Sequence, residues 1–494
     1  ERVIQKKRRM ELDVTGAVRG TFVYDGCGCC LHSCLAAPLT RKQQEGLEAL
    51  VGQQPSTSGR ETRTVFWEGA PVQVNIHRYI GMTLGDLADL QAERIPDREA
   101  VVDTVAQRTL TYRDLKEISD SLAKGLLSLG IRKGDHVAVL LDNSWENIVA
   151  KIAAAKVGAV VVNLNIHEKS AMMETLLANA EVRAVIFRQK MKRQDYLELF
   201  YEMDPELVQM KADGLSLERL PRLKALIAVD QTGEASCTWR WEQLLEAGRS
   251  LPDQALSARR SMVRPTDDAS IIHTSGTSGV PKGVLLTHAQ LMENAWNHRQ
   301  SLNLTGEERF CMTPPMFHAL GCVGSVITMM VAGGTLVCFG SSSNEELYQV
   351  LLRERCTVLC SVPTIFVRLV ELVKSRGGLP EGWKLRLCIT AGAPCGTQTL
   401  ADMKQVLGAR HVVVMYGMTE AGPGIAGTAP GDSLEILTGT GDASGTGRSA
   451  APPAPAKKTA GGFLHLKALT ELLLQSGIPY YTAFLPESCV FGRK

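Results

Sequence analysis

Between residues 97 and 190 the apolar positions fall into two alternating rhythms. Leu115, Ile118, Leu122 and Leu126 recur at three- and four-residue steps, the spacing of one face of a helix. Thr111, with Asp114 three positions later, forms the capping pair that would start that helix. Shorter runs at 136–141, 159–162 and 184–187 are apolar throughout and read as strands, with helices between them at 144–157 and 168–179. Strands without a polar face belong in a parallel sheet covered by helices on both sides.

The same rhythm returns later, with strands expected at 335–339, 357–361, 385–390 and 412–415 and helices at 365–374 and 399–407. The predicted fold class is therefore α/β: two mostly parallel sheets flanked by helices and packed on one another. Ligands should gather where loops leave strand C-termini. Residues 1–61 lack clear periodicity, and 1–65 reads as a poorly structured extension, 66–440 as one large unit, and 441–494 as a divergent tail. Within that tail 445–462 holds four Gly, five Ala and three Pro, a linker-like composition, and 463–474 is a short apolar helix candidate.

Composition narrows the classes. A chain of 494 residues with 45% hydrophobic and 21% charged residues has a sizeable core and is not wholesale disordered. A formal charge of +2 advertises no nucleic-acid or membrane-surface partner. Residues 312–344 carry no Asp, Glu, Lys or Arg, as a membrane span would. Pro314, Pro315, Gly321, Gly324, Gly333, Gly334 and Gly340 chop that stretch and His318 sits inside it, so a buried helix before the strand at 335–339 is expected instead. Thirteen Cys are too sparse for a disulfide framework. Cys27, Cys29, Cys30 and Cys34 crowd around His32, either as a metal or acylation cluster or as part of a structureless extension. Lys6, Lys7, Arg8 and Arg9, with later Ser and Arg and few acids, loosely suit an organelle transit peptide. A chain opening at Glu1 reads as a fragment or as one lacking its start codon.

The strongest chemical signal is Thr274, Ser275, Gly276, Thr277, Ser278, Gly279, Val280, Pro281, Lys282 and Gly283, following the apolar pair Ile271 and Ile272. A Gly- and hydroxyl-rich loop after a strand offers backbone N–H and side-chain OH groups to phosphate oxygens, and Lys282 adds a mobile positive charge. The Walker spacing G-x4-G-K-[ST] is not met, because Pro precedes Lys282 and Gly follows it. Singly, His318 reads as a core histidine, Glu420 as a helix-start acid, and Met316, Met329 and Met330 as core filler. Their order along the chain favours a shared site.

This loop resembles the phosphate-binding motif of the AMP-forming acyl-CoA synthetase, or adenylate-forming, superfamily, with Ser278 in place of the second of two adjacent Thr. Leu110–Leu115 resembles the first core motif, and Lys156, Val157, Gly158 and Ala159 with Asn163 the second. Pro315, Met316, Phe317 and His318 resemble the motif whose ring borders the acyl pocket. Thr390, Ala391, Gly392, Ala393 and Pro394 resemble the loop lying against adenine. Tyr416, Gly417, Met418, Thr419 and Glu420 resemble the fifth motif, in which Tyr stacks near the base, Thr contacts phosphate and Glu helps hold Mg2+. The likeness covers roughly residues 66–438, and flanks such as 81–87 and 220–223 are closest to the medium-chain acyl-CoA synthetase branch.

The resemblance implies ATP, Mg2+ and CoA as reactants or cofactor and a fatty acid, medium-chain in this branch, as substrate. Catalytic roles would fall to Lys282, Thr419, Glu420 and His318. An aryl- or other carboxylate-activating relative, or a non-catalytic nucleotide- or lipid-binding remnant, are the alternatives. The branch favours a mitochondrial location, with the cytosol as the alternative. The expected unit is the superfamily's large N-terminal domain with an incomplete β-barrel subdomain and no complete C-terminal domain. The family's ribose-holding Asp and mobile Lys have no counterpart in 441–494, and Thr440, Gly441 and Asp442 match the ribose triplet by letters alone.

Overall fold

The computed structural model describes residues 79, 81–191, 194–231, 235–274, 281–340 and 343–439. It adds the backbone of short strands at Glu11–Leu12, Val18–Arg19, Glu61–Trp67, Ala70–Ile76 and Val490–Phe491. The cysteine cluster at 27–34, the basic segment 6–9, the linker-like stretch and the 463–474 helix candidate lie outside the described residues.

The chain first lays down α1 (Leu84–Arg94), β1 (Glu99–Asp103), β2 (Arg108–Thr111) and α2 (Tyr112–Ser128). It then alternates β3 (His136–Leu140), α3 (Trp145–Val157), β4 (Val160–Asn163), α4 (Ser170–Asn179), β5 (Val182–Phe187), α5 (Tyr196–Met203) and β6 (Ala225–Ala228). Next come β7 (Trp239–Arg240), α6 (Trp241–Ser250), α7 (Asp253–Arg260), β8 (Asp268–Thr274), β9 (Lys282–Thr287) and α8 (His288–Ser301). The last stretch holds β10 (Arg309–Met312), a helical segment at 319–332, β11 (Thr335–Cys338), α9 (Asn344–Arg353), β12 (Val358–Ser361) and α10 (Pro363–Ser375). It closes with β13 (Leu387–Ala391), α11 (Thr397–Gln405), β14 (His411–Gly417) and β15 (Gly424–Gly427).

Two sheets result. The first runs β7-β6-β5-β3-β4-β8-β9, with Val490–Phe491 beyond β9, and is parallel as far as β8. The second runs β15-β14-β13-β12-β10-β11-β1-β2 and is parallel from β14 to β1, with one antiparallel strand at each edge. Two mostly parallel sheets flanked by helices are thus present, as the pattern predicts, and the described strands close no barrel.

The pleat explains the packing. Val137 and Val139 of β3 enter a core shared by both sheets, whereas Ala138 and Leu140 enter a separate core with α4 and α5. In β10, Phe310 and Met312 join the shared core while Cys311 points to a third core with α9 and α10. Opposite faces of one strand therefore feed different hydrophobic clusters, the reason these runs lack polar alternation.

Helix starts follow local chemistry. Thr83 with Asp86, Thr111 with Asp114, and Thr287 with Gln290 each form a reciprocal capping box. Close helix contacts need glycine: a Cβ on Gly248 of α6 would lie 1.8 Å from Ser121 O of α2. The 319–332 segment is buried helix, as expected, but Cys322–Ile327 forms a π-helical stretch that apolar periodicity does not announce.

Candidate functional site

The predicted phosphate loop is the connection of an antiparallel hairpin. Thr274 ends β8, Lys282 opens β9, and the two are register partners, as are His273 and Gly283. Ser275, Gly276, Thr277, Ser278 and Gly279 lie outside the described residues. Lys282 is exposed and Pro281 half-buried. Because α8 begins only at His288, the hairpin does not place the loop on a helix N-terminus. Anion attraction at the described end therefore rests on the Lys282 ammonium. Asn163, at the end of neighbouring β4, donates through Nδ2 to Ser270 Oγ (2.8 Å) and Ile271 O (3.0 Å), so it braces β8.

The fifth motif stands at the end of β14. Tyr416 and Gly417 are exposed, and Thr419 and Glu420 occupy a half-buried 3-10 turn, Thr419–Ala421, before β15 returns. Gly417 is obligatory, since a Cβ there would sit 1.9 Å from Pro423 O. The turn packs against both β8 and β9, which brings Thr419 and Glu420 to the hairpin carrying Lys282. Asn294 of α8 secures it, with Nδ2 donating to Ala421 O (3.3 Å) and Gly424 O (3.1 Å) and Oδ1 accepting from Gly424 N (3.3 Å).

Gly392, Ala393 and Pro394 follow β13, which pairs in parallel with β14 through Ala391 and Met415, so their loop leaves the sheet beside Tyr416. All three are exposed, and Gly392 has φ +82°, a left-handed conformation that favours glycine. These strand ends share one edge because β10, β12, β13 and β14 are parallel.

On that edge, Met316, Phe317 and His318 follow β10. Phe317 and His318 have ring centroids 4.6 Å apart, and His167 meets Phe317 edge-on at 6.4 Å. Desolvation, helped by the His167 charge, holds the His318 imidazole below its ordinary pKa. The turn before the rings is pinned from the first sheet. Asn143 Nδ2 donates to Pro314 O (3.1 Å) and Phe339 O (3.4 Å), and its Oδ1 accepts from Met316 N (2.8 Å). Lys151 Nζ donates to Met316 O at 2.6 Å, and burial pushes its pKa down. A pocket of about 360 Å³ opens beside His167, between 166–169 and Met191, Gln194 and Tyr196, and none of the expected site residues lines it.

Two motifs of the resemblance are braces. Tyr112 is buried with its OH donating to Gly334 O at 2.7 Å. Lys156 is buried, paired with Asp89 at 2.8 Å and with Asp120, and donates to Ser119 Oγ at 3.0 Å. Asn143, Lys151 and Asn294 escaped the sequence reading. A polar residue in an apolar helix, such as Lys151 in α3, was the available signal, but it does not name its partner.

Among the described residues no group of three or more His, Cys, Asp or Glu could hold a metal. The donors on offer are the Glu420 carboxylate and the Thr419 hydroxyl, hard oxygens on one turn. That set suits Mg2+, which keeps waters and takes one or two carboxylates alongside substrate phosphates.

Comparison with known proteins shows the family. It belongs to the AMP-binding enzyme family, whose model matches residues 88–449. The chain is 30% identical over 375 residues to the mitochondrial medium-chain acyl-CoA ligase ACSF2 of Mus musculus, covering 73% of this chain and 59% of that protein. It is 30% identical over 363 residues to the acyl-CoA ligase sidI of Aspergillus fumigatus, covering 72% and 59%. The chain thus spans about 59% of the length of these relatives. In fold it is similar to the anthranilate CoA ligase AuaEII, with a TM-score of 0.61 at 20% identity over 72% of this chain and 62% of that one. The N-terminal domain of FACL13 from Mycobacterium tuberculosis gives 0.58 at 23% identity over 72% and 80%. No helix among the described residues is long and apolar enough to cross a membrane.

Proposed function

We propose that this chain carries the nucleotide- and acid-binding part of a fatty acid–CoA ligase, medium-chain by its likeness to ACSF2. The observation that carries the reading is the contact of the Thr419–Ala421 turn with the strands on either side of the 274–283 loop. It brings the backbone that carries Thr419 and Glu420 against the hairpin whose second strand opens with Lys282. Tyr416 and the Gly392, Ala393 and Pro394 loop leave the adjacent strands β14 and β13 on that edge, where a purine would lie.

In the proposed reaction a carboxylate oxygen attacks the α-phosphorus of ATP, the bond to pyrophosphate breaks, and an acyl-adenylate forms. The thiol of CoA then attacks the acyl carbon and AMP leaves with the electron pair. Adenylation joins two anions, so positioning and charge neutralisation dominate. Lys282 and the loop groups Thr274, Ser275, Gly276, Thr277, Ser278, Gly279, Pro281 and Gly283 would bind the phosphates. Thr419 would contact phosphate, and Glu420 would help hold Mg2+, which supplies further neutralisation of the phosphate oxygens. Phe317 and His318 would border the acyl chain. The proposed location is mitochondrial, by analogy with ACSF2.

Pyrophosphate release by the purified chain with octanoate and MgATP tests the reading. Octanoate should outpace benzoate and amino acids. A preference for benzoate would move the proposal to aryl acids. ATP binding without pyrophosphate release would leave a nucleotide-binding remnant. Glu420→Gln should raise the Mg2+ concentration needed for half-maximal release; an identical Mg2+ titration would make its carboxylate purely structural.

A further inference from the structure

Helix α8 and the turn bearing Thr419 and Glu420 meet along a seam with unusually complete polar geometry. Asn294 uses its amide three times there, as two donations to Ala421 O and Gly424 O and one acceptance from Gly424 N. A flipped amide would set oxygen against two carbonyls and lose all three bonds, so the orientation is defined by the partners. The backbone lies directly on the helix. A Cβ on Gly422 would be 3.7 Å from Asn294 Nδ2 and 3.8 Å from Gln290 O, and one on Gly424 would be 2.0 Å from His298 Nε2. Residues 290, 294 and 298 form one helical row facing the loop.

The same helix continues from β9 without a loop, because Thr287, the last residue of β9, is its N-cap. Lys282, the first residue of β9, is thereby joined to Asn294 through unbroken regular structure. We infer that Asn294 is a positioning residue that fixes the Thr419–Glu420 turn relative to Lys282, so that carboxylate and ammonium meet the same Mg2+–nucleoside triphosphate. It touches neither ligand and acts through the backbone of residues 421 and 424. The inference rests on the proposed nucleotide site.

The test is ATP binding by calorimetry, with excess Mg2+ and with EDTA, for the wild-type chain, Asn294→Ala, Asn294→Asp and Glu420→Gln. Position 294 is a half-buried helical site where Ala is the best helix former, so folding should survive. The gain in ATP affinity on adding Mg2+ should fall about tenfold in both Asn294 variants, the size of one or two lost hydrogen bonds. Glu420→Gln should match them, and affinity in EDTA should stay within about twofold of wild type. Asn294→Asp should be at least as damaging as Ala despite its nearly identical shape, since it presents oxygen to two carbonyls. An Asp variant that behaves like wild type, or an equal loss with and without Mg2+, overturns the inference while leaving the nucleotide site standing. A wild-type chain that binds no ATP in either condition overturns the proposed function, and the inference with it.

Discussion

Lys282 opens a strand with its side chain in solvent, held by the backbone partner Thr274 across the hairpin. Its position depends on the strand pairing, and the fold does not depend on its charge. Lys282→Ala should therefore leave thermal unfolding within a degree or two, while weakening ATP binding by about 10- to 100-fold, the worth of a charged phosphate contact. Unchanged nucleotide affinity would remove that role. Glu420 differs, because the half-buried 3-10 turn fixes its backbone and Asn294 holds the turn's far end. Lys156 shows the opposite case. Its motif resemblance is real, yet its ammonium is spent on Asp89 and Asp120 inside the core.

At the scale of elements, α8 does the most. It carries His288 and His298, both buried and both held neutral by desolvation, with pKa values lowered to about 4. His288 Nδ1 accepts from Leu84 N, which requires the unprotonated nitrogen. The sign follows from linkage: the unfolded chain takes up protons near the ordinary pKa of about 6.5, before the folded chain does. Stability from these groups is full above about pH 6.5 and drains as pH falls toward 4, by about 3 kcal/mol for each. Urea midpoints measured across that window should fall, and His288→Gln should flatten the slope by about one proton. An unaltered slope would mean that His288 protonates in the folded chain. The contact of α6 with α2 gives a second prediction. Gly248→Ala would drive a Cβ against Ser121 O, so it should cost about 1–3 kcal/mol in denaturant unfolding, and a neutral result would show that the helices can part freely.

The molecule as a whole is two sheets sharing one core, and few polar side chains cross between them. Asn143, in the loop after β3, reaches Pro314, Met316 and Phe339 of the second sheet, and Lys151 reaches Met316 from α3. These bonds tie the Phe317 and His318 turn to the opposite layer, so the geometry of that turn and sheet packing are mechanically linked. Asn143→Ala orphans buried backbone groups and should destabilise by about 2–4 kcal/mol, with a single unfolding transition at lower denaturant. Two separated transitions would mean that the sheets fold independently.

Much of this architecture was legible beforehand. The runs at 136–141 and 184–187 became β3 and β5, and Thr111 with Asp114 capped α2, because strand and helix patterns depend on neighbours two to four residues away. The strands expected at 385–390 and 412–415 became β13 and β14, each ending one or two residues later, at Ala391 and Gly417. What local pattern could not carry was the meeting of parts distant in the chain. The engagements of Asn143 and Asn294 join residues more than a hundred positions apart, and the π-helical stretch at Cys322–Ile327 breaks the local period. A side chain's polarity is written in the sequence, but its partner is set by which surfaces the packed sheets bring within hydrogen-bond reach.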